Sequence, residues 1–341
     1  MSTRLNIVNT GLMTAVGLSA PRACAAIRAK LANPTETGFI GADGKRLRAH
    51  QVPLRAEWRG RRKLITMAGC AVLEALDPVA DSDDESIPLL LCLAEPARPG
   101  RIVDLEQSVF SGLQAQTGLR FHGTQSRMVP RGKVGPLIAL AEAAKILNAG
   151  HARHVLILAT DSLLTGPTLE VYGAQRRLLN QANSNGFMPG EAAGAVLVTR
   201  GGATGLECLG LGFGLEAASF YTEEPLRADG MTVAIRNALA DAGLTLAQIG
   251  YRICTLNGEQ YWFKELDLAC SRLLRGRHEF MDLWHPAESV GDAGAALTVV
   301  GLSVALTAAQ KGYAAGDPVL LTASNEDGAC AAAVFRSVGA Q

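Results

Sequence analysis

A lysine at the mouth of a buried helix can act as an amine nucleophile, and this sequence places one there. Lys133 lies in residues 127–162, RMVPRGKVGPLIALAEAAKILNAGHARHVLILATDS, which read as a loop, an apolar helix and an apolar strand. Asp292 holds the matching point of a second stretch, SVGDAGAALTVVGLSVALTAAQKGY and then DPVLLTASN, within residues 289–325. In both, a glycine precedes the helix (Gly132, Gly291) and another closes it (Gly150, Gly312). Two chemistries are open to such a pair. A helix N-terminus disfavours a cation, so Lys133 could serve as a neutral amine, forming a Schiff base or acting as a nucleophile. Alternatively, Lys133 and Asp292 form a buried ion pair across the junction of two similar units, with Asp292 also an N-cap. The second reading uses both residues at once. It predicts the Lys133 ammonium within ion-pair distance of the Asp292 carboxylate.

The rest of the chain supplies the elements that must hold these two helices. Residues 5–9 form a short apolar strand ending in a Thr10-Gly11 turn, and Ser19 with Pro21 starts a helix through Arg28. Residues 34–57 are poorly periodic and read as loop. Arg59, Arg61, Arg62 and Lys63 precede a helix at 64–76 and read as a solvated basic helix end, with an acidic-partner site as the alternative. An acidic surface loop at 81–85 leads to a continuous apolar strand at 87–93, of the kind covered on both faces. A helix follows at 103–117. After the strand ending at Thr160, residues 163–184 read as an irregular insertion, followed by strands at 194–199 and 206–213. Helices at 230–242 and 260–274 alternate with strands at 252–256 and 279–283, and strands at 319–323 and 329–335 finish the chain. This alternation predicts layered α/β architecture with mainly parallel sheets.

Composition narrows the function classes. The formal net charge is zero, which argues against a nucleic-acid or anionic-membrane binder. Seven cysteines (Cys24, Cys70, Cys92, Cys208, Cys254, Cys270, Cys330) show no CxxC spacing, so neither disulfides nor a metal site is expected. The first ten residues lack an apolar signal-peptide core, and the apolar run at 293–309 is short for a membrane span. The expectation is a cytoplasmic protein without a membrane span and without a cofactor. The spacing Gly210-x-Gly212-x-Gly214 opens no helix and is a weak dinucleotide signal.

Four stretches together resemble the thiolase-like superfamily, specifically the β-ketoacyl-ACP synthases. They are IVNTGLMTAVG at 7–17, GFMPGEAAGAVLV at 186–198, DGMTVAIRNALADAGLTLAQI at 229–249 and SVGDAGAA at 289–296. The second is very similar to the ketosynthase Gly-Phe-x-x-Gly-Glu-Gly-Ala-Gly block. The resemblance implies a five-layered α/β/α/β/α fold made of two pseudo-symmetric halves, residues 1–200 and 201–341, and dimerisation through the first half. It also implies a Cys-His-His site, in which a helix N-terminus supports the thiolate. Aligning Leu137-Ile138-Ala139-Leu140 on the family's helix puts the nucleophilic Cys at Lys133. The first His turn reads Asn257-Gly258-Glu259-Gln260, the second His is Asp292, the family's Lys is Ala287, and the C-terminal Gly-Phe-Gly-Gly loop reads Asn325-Glu326-Asp327-Gly328.

On this comparison the degenerate positions are Lys133, Asn257, Asp292 and Glu326, and the scaffold motifs outlast the chemistry. Asn257 could donate a hydrogen bond where a His stood, or satisfy its turn. His285 beside Trp284 reads as structural rather than as a displaced catalytic His, His122 lies in the wrong half, and Cys92 on a buried strand reads as inert. The expected role is that of a non-catalytic partner of an active ketosynthase, as homodimer or heterodimer, with an acyl carrier protein or a secretion-system component (type VI included) as a further partner. Acyl transfer at an unconventional site around Lys133 is the enzyme alternative.

Overall fold

The computed structural model describes residues 5–41, 44–55, 57–80, 86–276 and 281–339. Twelve strands and nine α-helices are present among them. Ten strands share one sheet in the order β10-β9-β11-β12-β8-β1-β7-β6-β4-β5. Their ranges are β1 Leu5–Met13, β4 Leu89–Cys92, β5 Arg127–Val129, β6 His154–Ser162, β7 Glu191–Thr199, β8 Gly205–Leu215, β9 Tyr251–Cys254, β10 Asp282–Trp284, β11 Val319–Ser324 and β12 Ala329–Val338. Outward from the centre, β1 and β7, then β7 and β6, pair antiparallel, whereas β6, β4 and β5 run parallel. The sequence β8, β12, β11, β9, β10 repeats that pattern pair for pair. The two half-sheets join only where Leu5–Ile7 of β1 meets Leu206–Cys208 of β8. The sheet is therefore mixed rather than mainly parallel. Each half carries two antiparallel pairings beside its parallel ones.

Three core clusters show where the helices lie. Alternate residues of one strand face opposite ways. Leu89 and Leu91 of β4 pack with α2 (Gly60–Leu76) and α3 (Leu105–Thr117). Leu90 and Cys92 pack instead with α4 (Gly135–Asn148) and α9 (Ala296–Gln310), in a cluster that also contains Ile253, Leu321 and Phe335 from the other half-sheet. The far face of that second half-sheet is covered by α6 (Asp229–Ala242) and α7 (Gln260–Leu273). The order is helix, sheet, helix, sheet, helix, with α4 and α9 innermost. Thirteen of the fifteen residues of α9 are buried, which its uncharged, mostly Ala, Val and Leu composition permits on every face.

Glycines set the close approaches. Strand β1 runs straight through Thr10 and Gly11 instead of turning there, because a Cβ on Gly11 would sit 2.0 Å from the Ala71 carbonyl of α2. In β8 the same device serves α6: a Cβ on Gly212 would lie 2.0 Å from the Ala234 carbonyl. The alternating glycines of β8 are thus a helix-packing surface and not a nucleotide loop.

Other differences from the sequence reading have local causes. Residues 34–57 contain a hairpin, β2 Thr35–Ile40 with β3 Arg46–Ala49, whose exposed faces lack apolar periodicity. The insertion at 163–184 holds a helix, α5 Gly166–Ala174, started by Thr165, whose hydroxyl accepts from the Thr168 N–H, with Pro167 in the first turn. The strand expected at 279–283 is observed at Asp282–Trp284, its first two residues lying outside the described residues, as does the acidic stretch at 81–85. The remaining helices are α1 Ala20–Arg28 and the single turn α8 Ala287–Val290.

Candidate functional site

Polar residues gather where the parallel strands end at their carboxyl ends, between the two half-sheets. Glu95 follows β4, Asp161 ends β6, Asn257 and Glu259 follow β9, and Asn325 and Glu326 follow β11. In α/β sheets this is where ligands and reacting groups are placed.

Lys133 sits here on a 3₁₀ turn, Gly132–Val134, that leads into α4. The turn is held tightly. Gly132 adopts φ +55°, its N–H donates to the Leu93 carbonyl, and a Cβ there would meet Glu95 Oε2 at 2.3 Å. The Thr298 hydroxyl of α9 donates to the Lys133 carbonyl, and Asn325 Nδ2 donates to the carbonyl of Arg131. Backbone and side chain are thus both fixed from the opposite half.

The Lys133 ammonium lies 2.7 Å from Asp292 Oδ2, and its Nζ sits 5.7 Å from the centre of the Trp262 ring. Asp292 also accepts from Asn257 Nδ2 at 2.8 Å and from the Gly294 N–H at 3.0 Å. Burial alone would raise this carboxyl. The Lys133 charge, reinforced by hydrogen bonds from Lys133, Asn257 and Gly294, outweighs burial and holds it below the usual carboxylate range. Asp292 is not the N-cap of α9, however. That place belongs to Ala295, whose N–H is taken by Asp161 Oδ2 at 2.8 Å, so a carboxylate of β6 caps the second half's central helix.

Around this pair lies a wider network. Arg98 reaches both carboxylate oxygens of Glu95 at 2.8 and 2.9 Å and lies 3.3 Å from Asp161. Burial would raise Glu95, but Arg98 and then Lys133 hold it low. Burial wins at Asp161, which stays above its ordinary value despite Arg98 and the Ala295 and Ser162 N–H groups. Arg177 grips Glu259 with two bonds of 2.8 Å and Glu326 with a third, while Tyr172 and Tyr221 also donate to Glu326. Trp262 Nε1 and Asn257 complete the shell of Glu259, and the Arg177 guanidinium lies 3.8 Å from the centre of the Phe220 ring. The pattern is directional. Lys133 and Arg177 precede β8, and the three carboxylates that receive them, Asp292, Glu259 and Glu326, follow it.

Little space is left. The cavity bounded by Glu95, Arg98, Lys133, Tyr172, Trp262 and Asp292 holds about 10 Å³, at most the room of one water. A charged ammonium bound to a carboxylate is not a nucleophile, and no acyl chain fits beside it. All four positions singled out from sequence meet here: Lys133, Asn257 and Asp292 in direct contact, Glu326 through Arg177 and Glu259. His285 lies outside, paired with Glu288, and His122 accepts from the N–H groups of its own turn. Cys92 is fully buried on β4 and its thiol is pushed up by that burial. Glu95, Arg98, Asp161, Tyr172, Arg177 and Tyr221 escaped the sequence reading. The available signal for three of them was a charge at or just after the end of a fully apolar strand run. Likewise Lys63 is not part of a solvated helix end: it is buried against Glu191.

With this geometry in view, comparison with solved structures is decisive for the fold. A chain from a type II PKS acyl-carrier protein in complex with its ketosynthase superposes with a TM-score of 0.81 at 16% identity, covering 99% of this chain and 100% of that one. The fold is that of a ketosynthase. A chain of the ishigamide ketosynthase/chain length factor gives 0.72 at 18% identity over 98% and 99% of the two chains, and a β-ketoacyl synthase from Burkholderia phymatum gives 0.71 at 17% over 99% and 100%. No family model and no curated protein matches the sequence. The resemblance survives in shape and in a few motifs, below the level at which sequence comparison detects it. Among the described residues no helix is long and apolar enough to cross a membrane, and no cluster of metal-ligating side chains occurs.

Proposed function

We propose that this chain is a ketosynthase-like protein without condensing activity, acting as the partner of a catalytic ketosynthase-like chain that works with an acyl carrier protein. One observation carries the proposal: the point where the resemblance puts the nucleophilic Cys holds Lys133, neutralised by Asp292, in a space with room for no more than a water. Thiolate chemistry needs an ionised sulfur, a base and an open approach, and this arrangement offers none of the three. Asn257, in the place of the first His, donates to Asp292 and Glu259 rather than facing a substrate. The solved ketosynthase/chain length factor pairs supply a precedent for partnership, since two such complexes share this fold. A partner needs the shape of the fold but not its pocket, and an ionic fill keeps the two halves in register.

Incubation of the protein with acyl-CoA and with acylated carrier protein, followed by intact-mass measurement, should give no adduct. A covalent acyl adduct that disappears in Lys133→Ala would overturn the proposal in favour of acyl transfer at Lys133. Affinity purification from the native host tests the partnership: a second ketosynthase-like chain is expected in the eluate, and recovery of secretion-system components alone would replace that partner.

A further inference from the structure

A second group of buried charges lies outside this site, beside a cavity of its own. The cavity has a volume of about 240 Å³ and is bounded by Gly38, Phe39, Gln51, Arg59, Lys63 and Glu191, with Gly60, Ser162 and Leu164 completing the wall. At its floor the Lys63 ammonium pairs with Glu191, their side chains 8% and 2% exposed. Both oxygens of Glu191 are engaged. Its Oε1 also accepts from the Val52 N–H and its Oε2 from the Ser162 hydroxyl, each at 2.9 Å. Ser162 in turn accepts from the Leu164 N–H at 3.2 Å. Three of the carboxylate's four acceptor positions are therefore taken within the wall of the cavity. Lys63 differs: its ammonium has three protons, and Glu191 is its one recorded acceptor among the described residues.

The remaining surroundings are positive. Arg59 stands at the rim, and α2 begins at Gly60 with no side-chain cap and no acidic residue in its first turn. Two cations face one carboxylate across the lining, and the helix dipole adds to the cations. A space of this kind, with cationic donors at its wall, favours an oxyanion. We propose that this cavity binds a small oxyanion, a carboxylate or phosphate group, with Lys63 donating to it and Arg59 closing over it. The site is separate from the Lys133–Asp292 clasp and does not depend on the partner role proposed above.

The test is calorimetric titration of the full chain with inorganic phosphate and, separately, with propionate, against sodium chloride at matched ionic strength. Saturable binding of one anion is expected, phosphate if the guest is a phosphate group and propionate if it is a carboxylate. The double variant Lys63→Gln/Glu191→Gln removes both buried charges together and should weaken that binding by about tenfold or more, the worth of one charge-assisted hydrogen bond. Gly38→Trp provides a second route. A Cβ at this exposed wall position meets nothing within 4 Å, so the substitution should leave folding intact while filling the cavity and abolishing binding. Absence of saturable heat with both anions would overturn the proposal, as would affinity unchanged in Gly38→Trp.

Discussion

Removing the Lys133 ammonium should cost more than any single contact it makes. In Lys133→Met the side chain keeps its length and its packing against Trp262 but loses its charge, leaving the Asp292 carboxylate buried at 4% exposure with only Asn257 and the Gly294 N–H as donors. Breaking one side of a buried pair typically costs about 3–5 kcal/mol. A ceiling follows from titration. If Asp292 escapes by taking a proton at pH 7, raising its pKa from the ordinary 3.8 to 7 costs about 4 kcal/mol at 1.36 per unit. The expected loss at pH 7 is therefore about 3–4 kcal/mol. In the wild type the depressed Asp292 stabilises the fold above the ordinary carboxylate pKa, and that contribution disappears as pH falls through its folded value. In the variant burial without Lys133 raises the Asp292 carboxyl instead, a penalty that is relieved as pH falls below the raised value, so the difference between the two proteins should shrink already between pH 7 and pH 5. Adding Asp292→Asn to Lys133→Met should restore part of the loss, giving a coupling of about 1–3 kcal/mol in a double-mutant cycle. Urea unfolding at pH 7 and pH 5, with m-values checked for constancy, measures all of this. A Lys133→Met loss below about 1 kcal/mol, or one independent of pH, would refute the buried clasp.

Three further outcomes are expected. Glu265 on α7 is 2% exposed, and burial, with the nearby Glu216 charge adding to it, pushes its carboxyl up to about 7 against hydrogen bonds from Ser324 and Cys330. A raised carboxyl stabilises below its unfolded pKa and loses that contribution as pH rises through its folded value, so Glu265→Gln should flatten the fall in stability between pH 4.5 and 7, a difference of about 3 kcal/mol across that window; parallel slopes in thermal unfolding of the two proteins would contradict it. Gly212→Ala drives a methyl to 2.0 Å from the Ala234 carbonyl and should destabilise by about 3 kcal/mol or prevent folding, whereas Gly118→Ala, with open space around it, should cost only its left-handed φ of +75°, about 1 kcal/mol; equal denaturation midpoints would count against the packing argument. Of the seven cysteines only Cys70 is exposed and Cys270 partly so; burial pushes all seven thiols up, Cys24 to about 11, so access decides which of them reacts. Native protein at pH 8 should therefore release one fast equivalent of thionitrobenzoate from Ellman's reagent and one slow, and two fast equivalents would contradict the burial pattern.

The sequence exposes the fold through its apolar runs and glycines. Residues 87–93, 155–159 and 319–323 are largely apolar without alternation because both their faces are covered, and α9 is largely apolar all round because a half-sheet lies on each side. What stayed hidden obeys a different rule. The β2–β3 hairpin is largely exposed, and the apolar side chains of α5 join a small satellite cluster around Tyr172 and Phe187, so neither carries the periodicity of a core element. The candidate site was half legible for a related reason. Lys133, Asp292, Asn257 and Glu326 stand inside motifs, so position alone marks them. Glu95, Arg98 and Arg177 belong to loops and acquire meaning only when strands far apart in sequence end at one place.

That difference bears on how a pocket can close without the fold collapsing. A Lys or Asp alone at this depth would carry an uncompensated charge, which a single substitution of either kind cannot remedy. The observed state needs Lys133 with Asp292, Arg177 with Glu259 and Glu326, and Arg98 with Glu95 and Asp161, each cation arriving with its acceptor. The first two sets cross from residues before β8 to residues after it, so these buried charges join the halves. Such a clasp makes the two half-sheets one cooperative unit. Arg177→Met should thus lower the unfolding midpoint without introducing a second transition, since the carboxylates it leaves, Glu259 and Glu326, are held by residues of both halves: Asn257, Trp262 and Tyr221 after β8, Tyr172 before it. Two resolved transitions in scanning calorimetry of that variant would show instead that the halves fold independently and that the network merely fills space.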